Sequence, residues 1–281
     1  MNTFTLMPMS QDVELIPGEV YHGAIKIACP VDAKEDFYYI VNVTPYSVMG
    51  DGYAENLVDK SNWSMITDWI KVEEPTGKVK PNETKTVHFE IRTPETAPAG
   101  GQYATFSVRA DNSKIAEDKV AIRNTYEMAS ILFARVAGET VHNGRIVSNV
   151  IPGFVMSGAP MIEAEILNDG NVHEVAETTV EVKNAIDGTV ILPRENVSNV
   201  YTDVVMPGAT RHLARAVSDL PALGVFEVTQ NIEYMGKVSP NTVTVIMCPI
   251  WFLVLAVLTV GAFFGTIFAL IFRRKNSKKV L

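Results

Sequence analysis

Apolar and polar residues alternate along most of this chain, with the two-residue period of strands that bury one face. After the turn Pro17-Gly18, Tyr21, Gly23, Ile25 and Ile27 share a face. Phe37, Tyr39, Val41 and Val43 alternate next, and Pro45 is expected to end that strand because proline cannot donate to a ladder. Val87, Phe89 and Ile91 form a third set behind the turn Lys80-Pro81-Asn82-Glu83, and Ala104, Phe106 and Val108 a fourth behind Ala97-Pro98-Ala99-Gly100-Gly101. The apolar run Met128 to Val136 is expected to close a first domain. Short strands separated by Pro and Gly turns predict a β-sandwich.

One segment departs from this rhythm. Pro45 to Ile70 is long for a sandwich loop, yet it holds Tyr46, Tyr53, Trp63 and Trp69. Residues 62–70 suit a short helix with Trp63, Ile66 and Ile70 on one face. Two readings stay open: the four aromatics form an exposed contact surface for a partner, or Ile66 and Trp69 plug the edge of the sandwich.

The polar stretch Gly138 to Gly144 reads as a hinge, and the pattern then repeats. Met161 to Leu167 alternates up to Asn168-Asp169-Gly170-Asn171, a hairpin-type turn. Thr179 to Val182, Thr189 to Leu192 and the set Phe226, Val228 and Ile232 follow, the last with polar Gln230 on the same face. Leu15-Ile16-Pro17-Gly18 and Val205-Met206-Pro207-Gly208 share a phrase, which supports two domains of one class.

Ile250 to Phe272 carries no charge and runs into Arg273-Arg274-Lys275. A helix of about 23 residues is about 34 Å long, enough to cross a bilayer core of about 30 Å. Pro249 suits a first helical turn, and Trp251 suits the interface. The tail beyond Phe272 has five cations and no acid, so the positive-inside rule puts it in the cytoplasm and the rest of the chain outside. Residues 1–10 lack the basic and apolar regions of a signal peptide, so a signal was removed, the start lies elsewhere, or the domain is cytoplasmic and tail-anchored. The expected organisation is all-β: sandwiches over residues 1–137 and 138–244, a transmembrane helix over 245–272 and a cytoplasmic tail over 273–281.

The formal charge of −8 understates the acidity of the folded part: the tail's five cations leave 19 Lys and Arg against 32 Asp and Glu, a net of −13. That argues against nucleic acid and anionic lipid as ligands. Cys29 and Cys248 lie far apart in sequence and are expected not to pair, which suits a bacterial surface protein that relies on its core. The sequons at Asn42, Asn62, Asn82 and Asn196 matter only in a eukaryotic setting.

Catalytic signals are sparse. The five histidines are scattered without metal-ligand spacing, and no nucleophile elbow, phosphate loop or dinucleotide fingerprint occurs. Asp51 to Asn56 and Asn168 to Asn171 hold oxygen donors near glycine but lack EF-hand spacing. The expectation is no enzyme, no cofactor and no metal. Within the apolar helix, Gly261 and Gly265, extended by Ala269, form a small-residue face suited to pairing with itself or with a partner's helix.

Several of these phrases line up with a family. Phe4-Thr5-Leu6-Met7-Pro8, Leu15-Ile16-Pro17-Gly18-Glu19, Pro81-Asn82-Glu83, Ala97-Pro98-Ala99-Gly100-Gly101-Gln102-Tyr103-Ala104 and Asn168-Asp169-Gly170-Asn171-Val172-His173 resemble motifs of the WxL-interacting surface proteins of Gram-positive bacteria. The resemblance spans nearly the whole chain, and it rests on turn and core residues. It implies two immunoglobulin-like domains on a membrane helix, the first linked with peptidoglycan and the second with protein ligands. Cys29 departs from the family, where asparagine is expected. The sequence thus points to a single-pass, non-enzymatic adhesion protein that binds cell-wall polymer or a surface protein. The alternative is an accessory subunit of an envelope secretion, pilus or transport complex assembled through the helix.

Overall fold

The structure, a computed structural model, describes residues 4–49, 52–55, 62–111, 127–194, 198–218 and 220–277. Packing divides the chain into two units. The first is Met1–Arg145 with Ile166–Val175 and Val204–Arg211; the second is Ile146–Glu165 with Ala176–Asp203 and His212–Leu281.

The strands of the first sandwich are β1 (Thr5–Met7), β2 (Ser10–Leu15), β3 (Val20–Ala28), β4 (Phe37–Met49), β5 (Gly52–Glu55), β6 (Ile70–Val72), β7 (Thr76–Val79), β8 (Thr84–Arg92), β9 (Gly100–Ala110) and β10 (Glu127–Val136), with a 3-10 helix over Met65–Asp68. One sheet has the order β1-β3-β8-β6, and the other β2-β10-β9-β4-β5 with β7 also on β4. Ile25, Ile27, Val87, Phe89 and Ile91 of the first sheet meet Tyr39, Val41, Phe106, Val108 and Leu132 of the second in one buried core. These are the inward sets that the alternation marks. The chain changes sheets between β1 and β2, and β2 then runs parallel to β10 from Ser10 opposite Ile131 to Leu15 opposite Val136.

Pro45 does not end β4. The edge partner β7 covers Phe37–Ile40 and β5 covers Tyr46–Met49, so Pro45 falls in the gap between them. A missing N–H is tolerated at such a gap, and the strand continues.

The strands of the second sandwich are β11 (Gly144–Val150), β12 (Phe154–Val155), β13 (Met161–Asn168), β14 (Glu174–Asn184), β15 (Val190–Leu192), β16 (Val200–Val205), β17 (Thr210–Ala216), β18 (Gly224–Tyr234) and β19 (Lys237–Met247). The sheets are β11-β13-β17 and β12-β19-β18-β14-β15, with β16 on β14. Ile162, Val180, Val182, Phe226, Val228 and Val245 share its core. The fold is therefore all-β, two immunoglobulin-like sandwiches followed by one helix, α1 (Ile250–Ser277).

Two local expectations change. Asn168–Asn171 is not a hairpin turn, because β13 and β14 lie in different sheets. The helix starts at Ile250 rather than residue 245, because Val245 and Met247 are buried residues of β19. The shared Pro-Gly phrase has one job in both places. At Gly18 and Gly208, with φ of 83° and 68°, the chain turns from a six-stranded sheet into the other sheet of the same sandwich.

Within α1, Ile250–Leu270 has a mean hydropathy of 2.4, and none of that stretch is buried. It is long and apolar enough to cross a membrane.

Candidate functional site

Strand β9 organises the first unit. Alternation points Ala104, Phe106 and Val108 into the sandwich and leaves Tyr103, Thr105 and Ser107 for the outer face. All six are buried, so the strand is covered on both sides. Over Tyr103 lies a second, smaller cluster of Tyr46 and Met206, with Trp63, Ile131, Phe133, Val204 and Ala209 packed against it. The Phe133 ring meets Tyr46 and Tyr103 edge-on, at centroid distances of 5.8 and 5.9 Å.

This placement changes the role of the predicted contact aromatics. Tyr46 is 6 % exposed and Trp69 9 %, and Trp63 is half-buried; the side chain of Tyr53 lies outside the described residues. The expected exposed surface is absent at Tyr46 and Trp69, because both side chains have apolar partners within the unit. Ile66 and Trp69 belong to the main core, as a plug would. Gln102 pins the segment to β9: its Oε1 accepts the Ile66 N–H at 3.1 Å, and its Nε2 donates to the Asn62 carbonyl at 2.8 Å. The Trp63 carbonyl in turn accepts the Tyr103 N–H at 2.7 Å.

Replacing Trp63 with alanine is therefore expected to lower stability by about 2–3 kcal/mol, less than a fully buried tryptophan would. Chemical unfolding of the full chain in detergent measures it. An unchanged midpoint would restore Trp63 to a surface role.

Two of the motifs that carry the family resemblance, Ala97 to Ala104 and Asn168 to His173, meet in this unit. The Gly101 N–H donates to the Asn171 carbonyl at 2.7 Å, and Asn171 Nδ2 donates to the carbonyls of Ala99 and Glu139 at 3.2 and 2.9 Å. Asn171 Oδ1 accepts the Val141 N–H at 2.7 Å, and the Asn171 N–H returns to the Val141 carbonyl at 3.0 Å. Asn168 Nδ2 donates to the carbonyls of Val172 and Val205, while its Oδ1 accepts the Gly170 N–H. The stretch read as a hinge is thus held by Asn171. The oxygens of Asn168 and Asn171, weighed as ion ligands from sequence, bind backbone N–H groups instead.

Tyr103 and His173 close this network. The His173 N–H donates to the Tyr103 hydroxyl at 2.8 Å, and that hydroxyl lies 3.2 Å from His173 Nδ1. With its proton directed at Nδ1, the hydroxyl is satisfied by a neutral imidazole protonated on Nε2. Burial pushes the Tyr103 phenol far above its usual range, so it stays protonated, and burial pushes His173 below 6.5. Asp12 opposes the His173 shift and Arg135 reinforces it. Both line a cleft of about 130 Å³ with Gly101, Phe133 and His173, enough for a few waters. A neutral phenol committed to a neutral imidazole is a structural latch rather than an activated nucleophile.

The pH dependence follows from the sign of that shift. The unfolded chain binds the His173 proton more readily than the folded one. The contribution of His173 to stability is therefore intact above 6.5 and is lost as pH falls below it towards the lowered folded value. Melting temperature measured across this range should fall more steeply for the parent chain than for His173→Asn. Parallel curves would remove His173 from the latch.

Among the described residues, no three His, Cys, Asp or Glu side chains come together as a metal site. Cys29 and Cys248 are free and buried. Cys248 follows the end of β19, and its N–H donates to the Val155 carbonyl at 3.0 Å. Gly261 and Gly265 lie on the exposed helix, where a Cβ on either would meet nothing within 4 Å, and Ala269 is likewise exposed.

No family model matches the chain, and neither does any curated protein. Solved structures superpose loosely. A chain from the Salmonella enterica SafA pilin–SafB chaperone complex is similar at 12% identity and a TM-score of 0.42, over 88% of this chain and 97% of that one. The Escherichia coli chaperone DraB is similar at 11% identity and 0.42, over 86% and 97%. A chain of the CsuC–CsuE chaperone–tip subunit complex of Acinetobacter baumannii is similar at 13% and 0.42, over 86% and 98%. Superposition this loose carries no function from those proteins to this one.

Proposed function

We propose that this chain is a non-enzymatic, single-pass membrane protein whose two sandwiches stand outside the cell and bind cell-wall polymer or another surface protein. The observation that carries the reading is α1, whose apolar stretch Ile250–Leu270 is wholly unburied and follows β19 after only Cys248 and Pro249. An isolated apolar helix of that length calls for a lipid environment. The cations after Phe272 favour a cytoplasmic tail. The resemblance to WxL-interacting proteins supplies the expected ligand class. Its motif residues act in the fold, so the ligand is expected on surfaces other than the enclosed Tyr46 and Trp69.

The test is retention of the full chain, in mild detergent, on isolated cell walls before and after protease treatment of the walls. Retention on stripped walls supports a polymer ligand such as peptidoglycan. Retention on untreated walls alone supports a protein partner, and no retention on either sinks the binding reading.

The open glycine face favours a second reading, an accessory subunit of an envelope secretion, pilus or transport complex held through α1. Among the described residues, a Cβ at Gly261 or Gly265 would meet nothing within 4 Å, and with Ala269 the two glycines leave a smooth face for another helix. Gly261→Leu is then expected to remove a co-purifying membrane partner in mild detergent. Undiminished co-purification would leave the glycines without that role.

A further inference from the structure

The base of the second sandwich carries an apolar surface that no described residue covers. β12 runs parallel to the end of β19, with Phe154 opposite Ile246 and Val155 opposite Met247. The Ile246 N–H donates to the Gly153 carbonyl at 2.9 Å, and Cys248 is tied to Val155. The first turn of α1 follows at once, the Phe252 N–H reaching the Pro249 carbonyl at 3.0 Å. The loop after β12 is therefore fixed beside the start of the helix. Phe154 is 50 % exposed there, Met156 48 %, Leu223 45 % and Trp251 63 %. Met156, Gly158, Ala222, Ile250 and Trp251 line a groove of about 290 Å³.

Charge is sparse in the segments that build this surface, where Asp219, four residues before Leu223, is the one charge of the loop over residues 217–223. No residue between Arg145 and Glu163 is charged, and none between Lys237 and Arg273. A surface strand normally alternates with charge, and an exposed patch of large apolar side chains marks a contact. The occupant is set by position. If α1 spans a bilayer, its first turn and Trp251 lie at the headgroup level, where aromatic and apolar groups are favoured. The loop tied to that turn reaches the same level.

We infer that Phe154, Met156 and Leu223 form a lipid-contacting foot, which seats the base of the second sandwich in the interfacial layer of the bilayer. This inference rests on the membrane reading of α1. The foot and the two-residue junction together fix the tilt of the sandwich, where a flexible stalk would let it swing.

Polarity-sensitive fluorophores on single introduced cysteines test it, in the full chain reconstituted into nanodiscs whose lipids carry a quencher near the headgroup. The variants are Met156→Cys and Phe154→Cys at the foot, Val238→Cys at the far end of β19, and Leu258→Cys within the helix. Val238 lies nine residues along β19 from Met247, about 30 Å away. The native cysteines are buried, so the labelled parent chain serves as background. The expected result is blue-shifted emission and several-fold stronger quenching at 156 and 154 than at 238. If 156 and 154 stay as solvated as 238 while 258 is protected within lipid, the foot is overturned and the patch belongs to a protein or a second copy of the chain. If 258 is itself solvated, the membrane reading falls and takes the foot with it.

Discussion

Asn168→Ala is expected to destabilise the chain by roughly 3–5 kcal/mol, among the largest effects of any single side-chain truncation here. Asn168 is fully buried, and every polar valence of its amide that can reach a partner has one. Both Nδ2 protons are used, on the Val172 carbonyl at 2.8 Å and the Val205 carbonyl at 2.9 Å, and Oδ1 takes the Gly170 N–H at 2.9 Å. Alanine would leave these backbone groups without the partner that replaced water, at about 1–3 kcal/mol each and less than additively. Asn168→Asp separates shape from hydrogen bonding. It fills the same space but has no proton for either carbonyl, and its charge would face two carbonyl oxygens, so it should cost at least as much. Denaturant unfolding of both variants in detergent decides the matter. An aspartate variant close to the parent would show that volume, not donation, is what the site requires.

Gly100→Ala should be of similar size for a different reason. Gly100 has φ of +116°, a region that side chains with a Cβ rarely adopt. Its Cβ would also stand 2.4 Å from the Asn171 carbonyl oxygen, the atom that accepts the Gly101 N–H. The obstacle is backbone held by its own hydrogen bonds, so it cannot swing away as a flexible side chain would. Strain and the lost bond together should cost about 3 kcal/mol or more. Gly153→Ala is the matched control: nothing lies within 4 Å of its Cβ, so the change should be neutral, or stabilising by up to about 1 kcal/mol. A Gly100→Ala variant as stable as the control would mean that the Gly100–Asn171 approach is not required.

Both predictions fall on residues that the sequence marks as motifs without saying what they do. Asn168-Asp169-Gly170-Asn171 reads as a hairpin turn or a weak ion site, and Ala97 to Gly101 as a turn before a strand. The hydrogen bonds join the two: one asparagine amide reaches Ala99, Glu139 and Val141, residues 72, 32 and 30 positions away in the chain. No local window holds both ends of such a contact. Glycine pairs and Asn-Asp-Gly phrases occur in ordinary turns as well, so composition alone cannot separate a turn from a latch.

Aromatic exposure is illegible in the sequence for a related reason. Tyr103, Thr105 and Ser107 occupy the outward positions of β9, and a strand's pleat says only that they oppose Ala104, Phe106 and Val108. Residues Val204 to Ala209 cover part of that outer face from about a hundred positions downstream. Tyr46 and Trp63 then become walls of a second small core. Similarly, β2 and β12 are short strands whose partners are parallel and distant, and neither carries enough alternation to be read alone.

What the sequence determined by itself are the properties that depend on neighbours along the chain: the inward faces of most strands, the turns at Pro17-Gly18 and Pro207-Gly208, and the all-β class. The length and hydropathy of Ile250–Leu270 belong with them. Each follows from the two-residue pleat, from allowed backbone angles or from a sum over adjacent side chains. The packing of distant segments is what makes Asn168, Asn171 and Gly100 a latch, encloses Tyr46 and Trp69, and sets Phe154 and Met156 beside the root of the helix. Those facts depend on which distant segments meet, and burial and hydrogen-bond satisfaction are properties of the meeting rather than of either segment.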